Sequence, residues 1–209
     1  FGLIMGSFLG VCIKRIPSGS FWGSQRSICP QCGHKISFFL NIPLLSFLLL
    51  RGRSFCCKKK ISFFYPTVEL ITALLLVFSY YSNPFFSFYL GSDFIFDKLE
   101  FFRFLHKALF SCLMIVCSGI DFDHKIIPDL ISLPMILLTP LVVLLHPELS
   151  WTAGLLGVFL GGGLIYLIAW IYFLIRKEEG IGMGDAKLLA AIGGWLGYQS
   201  ILPVLLYSS

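Results

Sequence analysis

Residues 151–175 read WTAGLLGVFLGGGLIYLIAWIYFLI, an unbroken run without one charged side chain. A helix of about 20 mostly apolar residues crosses a bilayer, so this run alone removes most soluble folds from consideration. It has company. Further apolar runs cover 67–81, 104–120, 126–145 and 186–206, and residues 1–13 form an incomplete one. The composition agrees: 57% of the chain is hydrophobic and 13% charged, with a mean hydropathy of +0.87, against about 45–50% and about 25% in soluble domains. The expected fold is all-α, a polytopic transmembrane helix bundle. Gly161, Gly162 and Gly163 would let a neighbouring backbone come close. Pro134 and Pro140 would be tolerated if neighbours satisfy the carbonyls they free.

One long segment interrupts the apolar pattern. Residues 14–66 carry Lys14, Arg15, Arg26, Lys35, Arg51, Arg53, Lys58, Lys59 and Lys60 and no acid. Short loops rich in Lys and Arg stay in the cytoplasm. Alternating the spans from there places 121–125 and 176–185 inside too, adding Lys125, Arg176, Lys177 and Lys187. Only Lys98, Arg103 and Lys107 fall outside. The chain therefore divides into a first, truncated span (1–13), a basic cytoplasmic loop (14–66) and a transmembrane helical region (67–209). The loop's bland role is as a topology signal with attraction to anionic lipid. Both ends read as cut, since the chain opens and closes inside apolar runs, and FGLIMGSFLG lacks the flanks of a signal peptide.

This topology returns two acids to one level. Asp121, in CSGIDFDHKIIPD, ends the third span at the inner face, and Asp185, in GMGDAKLL, begins the sixth from the same face. Two carboxylates brought together share a proton, because like charges about 3 Å apart cannot both ionise. The ionised one can take a proton from water while the protonated one donates to the carbonyl that water attacks. Gly182 and Gly184 permit positive φ and close approach of a substrate backbone. Other readings stand beside this one. Asp185 suits an ordinary N-cap. Asp129 suits a cap of the fourth helix, and Asp123 and His124 an interfacial role. Glu69 is either a first-turn acid favoured by the helix dipole or a group facing the site. Glu178 and Glu179 read as solvated.

The cysteines pose a separate question. Cys29 and Cys32, in CPQC, form half of a zinc ribbon, and Cys56 and Cys57 follow in RGRSFCCKKK. Four thiolates in a reducing compartment favour Zn²⁺ over disulfides. Adjacent cysteines chelate one ion poorly, so a distorted site is expected, with His34 as a replacement ligand. A redox CxxC lacks its βαβ setting here. Cys12, Cys112 and Cys117 read as small packing residues.

Together these segments resemble the bacterial type IV prepilin peptidases, bifunctional leader peptidases and N-methyltransferases of the GxGD aspartic type. GSFLGVCIKRIP (6–17) resembles the family's opening motif, and CPQCGHKI with NIPLLSFLLLRGR its zinc-bearing loop. ISFFYPTVELITALL (61–75) resembles the stretch closing that loop. IDFDHKIIPD (120–129) and GIGMGDAKLLAAIGGWLG (180–197) resemble the two aspartate motifs. The resemblance implies an intramembrane aspartic endopeptidase. It would cut the basic leader of a type IV prepilin or type II secretion pseudopilin after a glycine at the cytoplasmic face. It would then methylate the new N-terminus from S-adenosylmethionine. By position, Asp121 and Asp185 become the catalytic pair, Gly182 and Gly184 the glycines of GxGD, and Cys29, Cys32 and Cys57 zinc ligands. The implied location is the bacterial inner membrane, with lipids and a pilin helix as partners and no nucleic acid.

The pattern is departed from in three places: Gly10 stands where the family has Asn, Ser54 stands at the third zinc position, and spans beyond the sixth are absent. No S-adenosylmethionine motif is recognisable. A basic loop would repel a basic leader, which Asp123, Glu178 or Glu179 would offset. Two rivals use the same residues. An ion- or proton-coupled transporter would employ Asp121 and Asp185 at helix breaks, but needs inverted repeats that are not visible. A zinc-containing scaffold would need neither acid.

Overall fold

The computed structural model describes residues 1–19, 29, 32–37, 42–87, 95–146, 148–177 and 182–208. It is helical: α1 (Gly2–Arg15), α2 (Leu45–Leu49), α3 (Phe64–Ser82), α4 (Lys98–His124), α5 (Asp129–Leu145), α6 (Trp151–Arg176), α7 (Met183–Leu196) and α8 (Ile201–Ser208). Three of these, α3, α4 and α6, are long and apolar enough to cross a membrane; α5 is apolar but shorter. A two-residue antiparallel pair, β1 (Phe86–Ser87) with β2 (Ile95–Phe96), precedes α4. The chain forms two compact units, Phe1–Ile120 and Asp121–Ser209, divided within α4.

In the first unit α1 lies against α3 almost backbone to backbone. A Cβ on Gly6 would sit 2.5 Å from the Glu69 Cα, and one on Gly2 would sit 2.7 Å from the Ala73 Cα. Ile13, fully buried, fills the space over Gly119 of α4. Polar side chains on α3 are absorbed by their own helix: Thr72 donates to the Val68 carbonyl at 2.7 Å and Ser79 to the Leu75 carbonyl at 2.8 Å. Near the α3–α4 connection the Phe85 ring meets Tyr80, Phe101 and Phe104 at centroid distances of 5.3, 5.3 and 5.0 Å. Asn83 donates to Glu100 at 2.9 Å, and Glu100 pairs with Arg103. Aromatic rings with a polar rim suit the edge of a bilayer.

In the second unit α7 is the central element. Its contact with α6 is made by glycine. A Cβ on Gly157 would collide with the Gly193 carbonyl, and one on Gly161 would reach the Leu189 carbonyl at 2.5 Å. Of the triplet singled out in the sequence, Gly161 and Gly162 face α7, while Gly163 faces open space; Gly154 and Gly157 share the role. Against α5, the buried Trp195 indole donates to the Met135 carbonyl at 2.8 Å. That bond ties α7 to α5 within the stretch between Pro134 and Pro140.

Several expected boundaries move. The third span begins at Lys98 and runs on through His124, so Asp121, Asp123 and His124 lie within α4 rather than after it. The sixth span is not one helix. Gly197, at φ +86°, breaks it into α7, a short 3₁₀ turn and α8. Glycine is what allows that backbone angle, and hydropathy alone does not register it. Glu69 lies beyond the first turn of α3 and is buried; its carboxylate accepts the Leu44 N–H at 2.8 Å.

Candidate active site and metal centre

In the second unit the segment that follows α4 packs on the first turn of α7. The last turn of α4 carries Asp121, and Lys125, at φ +57°, closes the helix by donating its N–H to the Asp121 carbonyl at 2.8 Å. The chain then crosses Ile127 and Pro128 into α5. The first turn of α7 carries Asp185, whose N–H donates to the Gly182 carbonyl at 3.1 Å. The crossing segment packs on that turn: a Cβ on Gly184 would lie 3.1 Å from the Ile127 Cβ. Beside it the Lys187 ammonium meets the Asp129 carboxylate at 2.7 Å.

Both candidate acids are exposed. Among the described residues no hydrogen bond joins them, and neither carboxylate is engaged by a cation. An N-capping role for Asp185 is overturned. Gly182 is the N-cap, Asp185 sits inside the first turn, and its side chain makes no cap bond. Asp129 likewise is not a cap; Pro128 holds that position and Asp129 binds Lys187 instead. The expectation of positive φ at Gly182 and Gly184 also fails, since Gly182 is extended at φ −64° and Gly184 is helical. What comes close to Gly184 is the side chain of Ile127. Glu178 and Glu179 lie outside the described residues, and Asp123 is exposed.

The four loop thiols converge in the first unit. The sulfurs of Cys29, Cys32, Cys56 and Cys57 all lie within 4.8 Å of one another. Cys29 and Cys57 are 3.9 Å apart and Cys32 and Cys56 are 3.1 Å apart. A tetrahedral ion with Zn–S bonds of about 2.3 Å separates its sulfurs by about 3.8 Å, so the donor set fits such an ion with modest adjustment. Two tight turns do the gathering. Gly33, at φ +69°, returns its N–H to the Cys29 carbonyl at 2.9 Å, and Lys58, at φ +56°, returns its own to the Ser54 carbonyl at 2.9 Å. The bridge between Arg53 and Lys60 closes the second turn.

Cys56 supplies the fourth sulfur of the cluster, and the adjacent cysteines both reach it. His34 is exposed and does not join it. The Ser54 hydroxyl lies 3.0 Å from the Cys56 sulfur. That contact, then Cys32, holds the Cys56 thiol below its ordinary pKa, whereas the bond with Cys56 pushes Cys32 up to about 12. Cys12, Cys112 and Cys117 are buried among apolar side chains, as expected of packing residues.

Two features escaped sequence reasoning. Ile127 gives no sign of packing on the Asp185 turn. Lys187 and Asp129 read in the sequence only as a topology charge and a cap; their shared position at the ends of apolar runs is the available signal.

Residues 1–83 match the bacterial peptidase A24 N-terminal domain, and residues 108–209 match the type IV leader peptidase family. The whole chain aligns with proteins named prepilin leader peptidase/N-methyltransferase. That of Xanthomonas campestris pv. campestris is 33% identical, with 75% of its length covered. That of Aeromonas hydrophila is 34% identical with 75% covered, and that of Klebsiella pneumoniae 34% identical with 87% covered. No solved structure matches the chain.

Proposed function

The chain belongs to the type IV leader peptidase family, and from that premise we propose that Asp121 and Asp185 are the acids with which it cleaves prepilins. Its activity is removal of the prepilin leader, coupled to N-methylation of the new N-terminus, in the inner membrane. The transporter reading has no support, because the matches along the chain are to leader peptidases.

The observation that supports the pair is the Ile127–Gly184 contact, which packs the segment following the Asp121 helix end on the turn bearing Asp185. Both carboxylates are open to water there. In the reaction, one ionised carboxylate takes a proton from a water whose oxygen attacks the scissile carbonyl carbon. The other, protonated, donates to the carbonyl oxygen. Collapse of the tetrahedral intermediate breaks the C–N bond, and the amine leaves with a proton from the acid pair. Gly182, extended at the start of the turn, leaves room for the extended substrate backbone, while the side of Gly184 is taken by Ile127.

The distribution of Lys and Arg supports a cytoplasmic site, where the basic leader of a membrane-anchored pilin helix meets water. In this reading residues 67–209 carry the peptidase and 14–66 form the cytoplasmic loop. Cys29, Cys32, Cys56 and Cys57 would hold one structural Zn²⁺, whose role is to fix the fold of that loop. Beside them a cleft of about 440 Å³ is lined by Arg51, Arg53 and Lys58, a fit for anionic lipid headgroups. S-adenosylmethionine is the methyl donor the family implies.

The test is incubation of membranes containing the chain with a type IV prepilin, read by mass spectrometry of the N-terminus. The expected product lacks the leader and is heavier by one methyl group. An intact prepilin after incubation with well-inserted protein would refute the reading.

A further inference from the structure

The helix that bears Asp185 has three faces. One, through Ala186, Leu189, Ala190 and Gly193, lies on α6. A second, through Gly184, Lys187, Gly194 and Trp195, meets α5 and the segment leading into it. Asp185 heads the third, above Leu188, Ile192 and Leu196, which is the least buried. Positions 185 and 187 are about 160° apart around a helix of 3.6 residues per turn. Where Lys187 points therefore determines where Asp185 points.

The α5 face is poor in side chains that could resist rolling. Gly184 and Gly194 offer only backbone. Directional contacts exist at its two ends. At the far end the Trp195 indole donates to the Met135 carbonyl at 2.8 Å. At the near end the Lys187 ammonium binds the Asp129 carboxylate at 2.7 Å, across 58 residues of sequence. An exposed ion pair contributes little to global stability, and this one is partly exposed on both sides. Its location gives it another use.

We propose that Lys187 and Asp129 form a positioning pair: their ion pair fixes the roll of α7 at its first turn and so aims the Asp185 carboxylate. The pair acts through α7 and not on the reacting atoms. This inference rests on the reading of Asp185 as a catalytic acid. A displacement of about 1 Å at a reacting group can cost about a hundredfold in rate, so loss of the pair is expected to act on turnover.

The experiment measures kcat and KM of prepilin cleavage in membranes for Lys187→Met, Asp129→Asn, the combination of the two, and the reversed pair Asp129→Lys/Lys187→Asp. Asp185→Asn is run alongside. Each single variant is expected to lower kcat about tenfold, within the penalty for misplacement, with KM and inserted amount little changed. The combination is expected to be no worse than either single, and the reversed pair to regain part of the loss. Wild-type kcat in the singles, losses that multiply in the combination, or losses in inserted amount alone would overturn the proposal while leaving Asp185 in place. Cleavage by Asp185→Asn at the wild-type rate would remove the reading of Asp185 and this inference with it.

Discussion

Ser54 and Cys56 are two residues apart, and exchanging which of them carries sulfur changes the chemistry of a loop. The hydroxyl at 54 is no zinc ligand of choice, but at 3.0 Å it stabilises the neighbouring thiolate. The direction of the shifts is opposite at the two exposed sulfurs: Cys56 is lowered, Cys32 pushed up to about 12. At neutral pH the metal-free loop therefore holds more thiolate at Cys56, and the thiolate is the nucleophile. Of the two exposed thiols, we expect a chelator-treated protein to be alkylated by iodoacetamide at Cys56 before Cys32. Zinc-loaded protein, with one ion per chain, should resist at all four positions. Mass spectrometry of the labelled peptides checks this; equal labelling with and without metal would contradict the ion's assigned place. The four thiols were legible as a set from CPQC and the following pair of cysteines. What spacing could not reveal is the turn at Lys58, whose positive φ brings both Cys56 and Cys57 inward.

At the level of elements, the α6–α7 contact depends on the absence of side chains. Any Cβ at Gly157 runs into the Gly193 carbonyl, which cannot move without shifting the helix that carries Asp185. Substituting Gly157→Val should cost about 1–3 kcal/mol, the usual penalty for overpacking. Thermal unfolding in detergent would show it as a lowered Tm, and Gly163→Val, facing open space, should leave Tm near wild type. A lowered Tm in both, or in neither, would argue against a specific contact. The helices themselves were legible because apolar runs of spanning length permit little else. Their ends were not. The extension of α4 through Asp121 to His124 is set by helical hydrogen bonding in a polar stretch, and the break at Gly197 by one backbone angle. Lys187 and Asp129 meet through tertiary packing, which no local pattern encodes.

On the scale of the molecule, the segment that follows α4 packs on the first turn of α7, and four sulfurs of the basic loop converge. The departure at Gly10 leaves that architecture intact: Gly10 is buried, and a Cβ there would meet only the Tyr65 ring at 3.6 Å. The account's central claim is that two acids act as one device. The rate of leader removal by Asp121→Asn and by Asp185→Asn, each at matched inserted amount and compared with the wild-type chain, tests that most directly. Removing groups that act as a unit costs about as much singly as together, so each substitution should abolish cleavage. A variant that retains wild-type rates with either aspartate replaced would contradict the claim.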